Sequence, residues 1–156
     1  MRQLLGVGLF LSLAVPLTAD EKEDAVKAEI KNLEGTWTRV SSILDGKKTP
    51  DDKLKPLTFT VKADGTWVMK NDTESWDGTY TLDPSKKPKA GDFVVLNGKY
   101  KGNTTLDIYE IDGDTMKNCY VVVPTGKEST KERPTEFTSK EGSGHYLYVF
   151  KREKAK

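Results

Sequence analysis

A nucleophile needs a base within reach, and this sequence offers a single histidine, His145, for that purpose. It follows Ser143 by two positions in Glu141-Gly142-Ser143-Gly144-His145, too near along the chain for imidazole and hydroxyl to meet comfortably. The run also lacks the glycine spacing of the Gly-x-Ser-x-Gly elbow, which holds a serine on a strained strand-to-helix turn. A flexible turn feeding a final strand is the simpler reading. In Glu132-Arg133-Pro134-Thr135-Glu136-Phe137 an arginine lies between two carboxylates. A guanidinium can clamp a carboxylate at two points and fasten a loop to the body of a domain. Catalysis by Arg133, Glu136 and His145 ranks below that structural use, so no catalytic residue is assigned.

One cysteine and one histidine cannot supply the ligands of a usual zinc site, and one cysteine cannot close an internal disulfide. The Asp-Gly pairs do not follow the carboxylate spacing of a calcium loop. Asp-Gly is also the preferred dipeptide of tight hairpins, so these pairs read as turns. No metal and no cofactor are expected. Cys119, followed by Tyr120, Val121 and Val122, reads as a small buried hydrophobe. Lys and Arg number 25 against 24 Asp and Glu, which removes the basic excess that a nucleic-acid binder needs.

The elements that must position any site begin after residue 19. Residues 4–15 are an apolar run broken only by Gly6, Gly8 and Ser12, preceded by Arg2 and followed by Asp20-Glu21-Lys22-Glu23-Asp24. Such a run is short of the roughly 20 residues that cross a bilayer. It predicts a secretory signal peptide over 1–19, cut after Ala19, and one secreted or periplasmic domain over 20–156 with no membrane span. Val26, Ile30 and Leu33 predict a short amphipathic helix, capped by Asp20 with Glu23 and ended by Gly35.

From Thr36 onward, short β-prone runs are cut by Gly, Asp, Asn and Pro. Leu57, Phe59 and Val61 alternate with polar residues, Asp64-Gly65 turns the chain, and Trp67 and Met69 alternate on the way back. The same pattern recurs around Asp112-Gly113-Asp114. Eight or nine strands with connections too short for helical crossovers predict an all-β antiparallel meander. Closing it into an up-and-down barrel removes the sheet edges; a flattened sandwich is the alternative. Residues 83–91 and 124–134 read as loops that could rim a barrel mouth.

Leu33-Glu34-Gly35-Thr36-Trp37 places Gly-x-Trp between a short helix and the first strand, and this resembles the opening signature of lipocalins. The resemblance implies that Trp37 closes the barrel bottom and that Arg152 packs over it. A wider resemblance runs through Asp45-Gly46-Lys47, residues 82–89, residues 108–114, Arg133-Pro134-Thr135-Glu136-Phe137 and Gly142-Ser143-Gly144-His145. These ordered motifs are similar to an uncharacterised secreted domain family abundant in planctomycete bacteria. That family implies a lipocalin-like barrel and export, with no activity to transfer. Function is therefore read from the barrel itself, as a non-enzymatic cup for a small, partly apolar ligand or peptide. Trp67, Met69, Tyr80 and Tyr109 are candidate wall residues, and Arg133 and His145 further contacts. The rival is an envelope module with a filled interior whose loops bind another protein or a polysaccharide. Interior volume divides the two.

Overall fold

A computed structural model describes residues 18–126 and 132–154. The expected signal segment, apart from its last two residues, lies outside the described residues, as does the middle of the second loop. An N-terminal helix, α1 (Ala19–Leu33), leads into the strands β1 (Gly35–Leu44), β2 (Lys47–Lys48), β3 (Thr58–Val61), β4 (Thr66–Lys70), β5 (Ser75–Asp83), β6 (Lys89–Val95), β7 (Thr104–Asp112), β8 (Thr115–Val123) and β9 (Tyr146–Arg152). Every strand pairing is antiparallel. From β3 to β9 each strand pairs with the next in sequence, β3 also lies beside β1, and β1 pairs with β9. The sheet is therefore closed into a barrel, and only the two-residue β2 hangs on its edge. The all-β expectation holds, and closure excludes the open sandwich.

Thr18 starts α1, where the sequence suggests Asp20. Its hydroxyl accepts from the Glu21 N–H and the Glu21 carboxylate accepts from the Thr18 N–H, a capping box two residues earlier than expected. Leu33 is buried at the other end of the helix, and the Leu33 carbonyl accepts from Trp37 Nε1 at 2.9 Å. The Arg152 guanidinium stacks 4.0 Å from the Trp37 ring and donates to the carbonyls of Asn32 and Glu34, at 2.6 Å each. Those carbonyls have no partner within the helix, so a cation there satisfies both their hydrogen bonding and the helix dipole. Helix and indole together close one end of the barrel.

Above that plug, Phe59, Val61, Trp67, Tyr80, Phe93, Met116 and Phe150 form one buried cluster with Leu33 and Trp37. Asp45-Gly46 makes a two-residue hairpin with positive φ at both positions, as Asp-Gly turns require. Asp77-Gly78 does not turn. It lies inside β5 with Gly78 opposite Trp67, and the missing side chain leaves room for the indole. The segment expected as a first loop is also shorter than the sequence suggests, because β5 runs to Asp83 and β6 starts at Lys89.

Candidate functional site

The barrel is filled at the helix end and hollow at the other. A cavity of about 540 Å³ opens between strands β3 to β9, with Phe59, Trp67, Phe93 and Phe150 at its apolar side. Cross-strand register explains how these residues meet. Phe59 lies opposite Met69, Met69 opposite Trp76, and Phe93 opposite Thr105, so successive strands present one inward residue at each level. Trp67 is fixed by donating from Nε1 to the Thr79 carbonyl at 3.0 Å. Phe59 and Phe93 meet edge to face with ring centres 5.8 Å apart. The wall is therefore preformed.

The opposite wall is polar and comes from β7, β8 and β9. Asp107 pairs across the ladder with Tyr120, and Tyr120 with Tyr146. The rings of Tyr120 and Tyr146 stack at 4.9 Å, and Tyr148 meets Tyr120 edge-on at 5.5 Å. Arg39 reaches in from β1, its guanidinium 4.9 Å from the Tyr148 ring and donating to the Lys55 carbonyl. Asn118 donates to Asp107 Oδ2 at 2.7 Å, whereas Asp107 Oδ1 has no hydrogen-bond partner. Burial pushes the Asp107 carboxyl up to about 7, opposed by the Thr105 hydroxyl and the Asn118 amide. Burial likewise raises the Tyr120 phenol, with Tyr148 adding to the effect.

Of the expected wall residues, Trp67 and Met69 line this cavity. Tyr80 lies in the cluster beneath it, stacked on Phe93 and donating to the Lys62 carbonyl at 2.7 Å. Tyr109 faces the helix end, where burial first and Glu29 second push its phenol far above the ordinary value. Glu29 itself is buried under α1 and pairs with Lys89 at 2.6 Å. Gly35, Trp37 and Arg152 belong to the plug.

Arg133 works on the outside of the barrel. It donates to the Gly91 and Asp107 carbonyls and to the Asp92 carboxylate. It is a clamp, but on strands β6 and β7 rather than on its sequence neighbours Glu132 and Glu136. Glu136 is exposed and pairs with Lys140. His145 enters β9 from a turn, its N–H donating to the Ser143 hydroxyl and its carbonyl accepting from Ser139. The structure thus does not bring Arg133, Glu136 and His145 together around a shared space. An outer depression of about 360 Å³ lies beside Arg133, between residues 81–92 and 133–135. Among the described residues, no group of His, Cys, Asp and Glu could hold a metal ion, and no helix is long and apolar enough to cross a membrane.

Residues 132–145 run as a strap over the outer face of β7 and β8. Ile108, Cys119 and Val121, on that face, are 2% exposed or less. Cys119 Sγ approaches the Thr138 carbonyl at 3.4 Å, and burial pushes its thiol up to about 11. A thiol without solvent access or thiolate character should not react. Maleimide labelling at pH 8 is therefore expected to modify almost none of the native protein and all of it in denaturant. Rapid native labelling would mean that the strap does not cover β8.

Sequence reasoning missed Asp107, Asn118, Tyr120 and Arg39. The alternation of Tyr146, Tyr148 and Phe150 was the available signal, since in a closed barrel one face of the last strand must point inward. No family model, curated protein or solved structure matches this chain.

Proposed function

We propose that this protein is an exported, non-enzymatic β-barrel that holds a small, partly apolar ligand in its cup. The observation that carries the reading is the cavity of about 540 Å³ at the end of the barrel away from α1. A barrel of this size can be packed solid by its inward side chains, and the filled-interior envelope module requires that it be so. Here the inward residues stop short of filling it. An apolar wall with a few convergent polar groups is also the usual makeup of a small-molecule site. Export belongs to the same proposal, supported by the length of the apolar run at residues 4–15 and the acidic stretch after it. So does kinship with the secreted family that the ordered motifs resemble.

Native mass spectrometry of the protein purified from its own host tests both parts. The expected spectrum shows a chain lacking residues 1–19 and a reproducible small adduct that leaves on denaturation. If no adduct is found and apolar probes leave the tryptophan fluorescence unchanged, the cup reading fails and the interaction module takes its place. Retention of residues 1–19 would end the export proposal alone.

A further inference from the structure

Asp107 sits 5% exposed on the wall of the cup, with Oδ2 engaged by Asn118, the Thr105 hydroxyl close by on the same strand, and Oδ1 without a hydrogen-bond partner. A buried oxygen left in that state is costly, and native proteins keep few of them. The nearest arginine does not relieve it. Arg133 is occupied on the outside of the barrel by two strand carbonyls and Asp92, and it meets Asp107 only at its backbone oxygen. Arg39, the cation inside the cup, is engaged with the Lys55 carbonyl through one terminal nitrogen and with the Tyr148 ring, and its buried Nε has no partner. Above about pH 7, where the carboxyl is ionised, the free capacity at Asp107 is that of an acceptor, because the Asn118 amide engages Oδ2 alone. The same cavity is lined by the aromatic rings of Phe59, Trp67 and Phe93. The cavity, about 540 Å³, is several times the roughly 150 Å³ void that takes one benzene ring.

We propose that Asp107 is the polar anchor of the cup, accepting a hydrogen bond from the amine or hydroxyl of a compact aromatic ligand whose rings lie against Phe59, Trp67 and Phe93. This rests on the cup-binding function and adds the ligand's chemical class and its orientation. A carboxylate ligand is disfavoured at Asp107, since it would set a second anion beside the ionised group; its partner in the cup would be Arg39 instead. An ammonium gains further from the tyrosine faces of Tyr120, Tyr146 and Tyr148 around the anchor.

Calorimetric titration of the purified chain at pH 8, where the Asp107 carboxyl is ionised, with four matched probes tests this: 2-naphthylmethylamine, 2-naphthylmethanol, 2-methylnaphthalene and 2-naphthoate. The amine and the alcohol are expected to bind about tenfold or more tighter than the hydrocarbon, the size of a hydrogen bond to a charged or buried acceptor. Naphthoate should be the weakest. Asp107→Leu should bring amine, alcohol and hydrocarbon to the same affinity while leaving hydrocarbon binding in place. Asp107→Asn, whose single oxygen is taken by Asn118, presents an amide N–H in place of the free oxygen and should abolish the preference for the amine while leaving hydrocarbon binding in place. That second variant decides the matter even where the leucine chain folds poorly. Equal binding of the three probes by the unaltered protein, or a preference that survives Asp107→Leu, would overturn the anchor and leave the cup standing. Tightest binding of naphthoate would overturn it in favour of Arg39. Binding of none of the four would remove the cup function and the anchor with it.

Discussion

Gly78→Ala is expected to destabilise the barrel by at least about 3 kcal/mol, more than other glycine replacements in the chain. A methyl at this position would stand 1.8 Å from the Val94 carbonyl oxygen and 2.8 Å from the Trp67 ring. Neither neighbour can give way cheaply. The carbonyl belongs to the β5–β6 ladder, in which Thr79 pairs with Val94, and the indole is fixed through its bond to Thr79. Gly65→Ala makes a useful control, because nothing lies within 4 Å of the added carbon and only its φ of +82° is unfavourable. That replacement should cost about 1 kcal/mol. Urea unfolding of both variants measures the contrast. If Gly78→Ala unfolds at the same urea concentration as the unaltered chain, Trp67 does not pack on β5 in the way described. The consequence reaches the cup, because the same indole forms part of its apolar wall.

The second large effect concerns Asp107 and pH. Its carboxyl keeps its proton to about 7 in the folded protein, against an ordinary value of 3.8. Between those values Asp107 binds more protons in the native state than in the unfolded chain, so its contribution to stability falls as pH rises from about 4 to 7 and then levels off. Above pH 7 the accumulated penalty is about 4 kcal/mol, from roughly 1.4 kcal/mol per unit of displacement. Asp107→Asn removes the titration and keeps an oxygen for Asn118. The variant is therefore expected to match the unaltered protein near pH 3 and to exceed it by up to about 4 kcal/mol at pH 8. The charges that act on this group are Arg133, which favours ionisation, and Asp92, which opposes it. Cys119 and Tyr120 feel the ionised carboxylate in turn, and burial keeps both neutral across this range. Comparing the two proteins across pH isolates Asp107 from the exposed carboxylates, which titrate equally in both. A constant difference between them from pH 3 to 8 would show that the Asp107 carboxyl titrates alike in the folded and unfolded chain, and the buried-acid description would fall.

Particular residues show how much of the site was legible. Trp67 and Met69 could be placed on the inner wall because β4 is solvent-facing on its other side, so the two-residue alternation reports the inward face directly. In β7 that signal is absent. Leu106 and Ile108 suggest one inward face and Tyr109 and Ile111 the other; Ile108 points outward and is buried there by the strap. With both faces covered, alternation carries no sign, and nothing in the strand marks Asp107 as an inward carboxylate. Tyr80 and Tyr109 face inward as expected, but at levels taken up by the core cluster and by the helix end. Depth along a barrel depends on strand stagger, which residue types do not encode locally. The Arg133 clamp was foreseeable as chemistry, and its partner was not, because Asp92 is brought to it from 41 positions away.

Local physics in the chain determined the N-terminal helix, the run of antiparallel hairpins and the need to close them, since short turns and two-residue alternation act between near neighbours. It also ruled out a usual zinc site and an internal disulfide by residue count alone. Which inward side chains share a level, how far they fill the interior, and where a carboxylate is left half-satisfied were decided only when β9 paired with β1. Closure brings together residues more than a hundred positions apart, and the cup exists only in that arrangement.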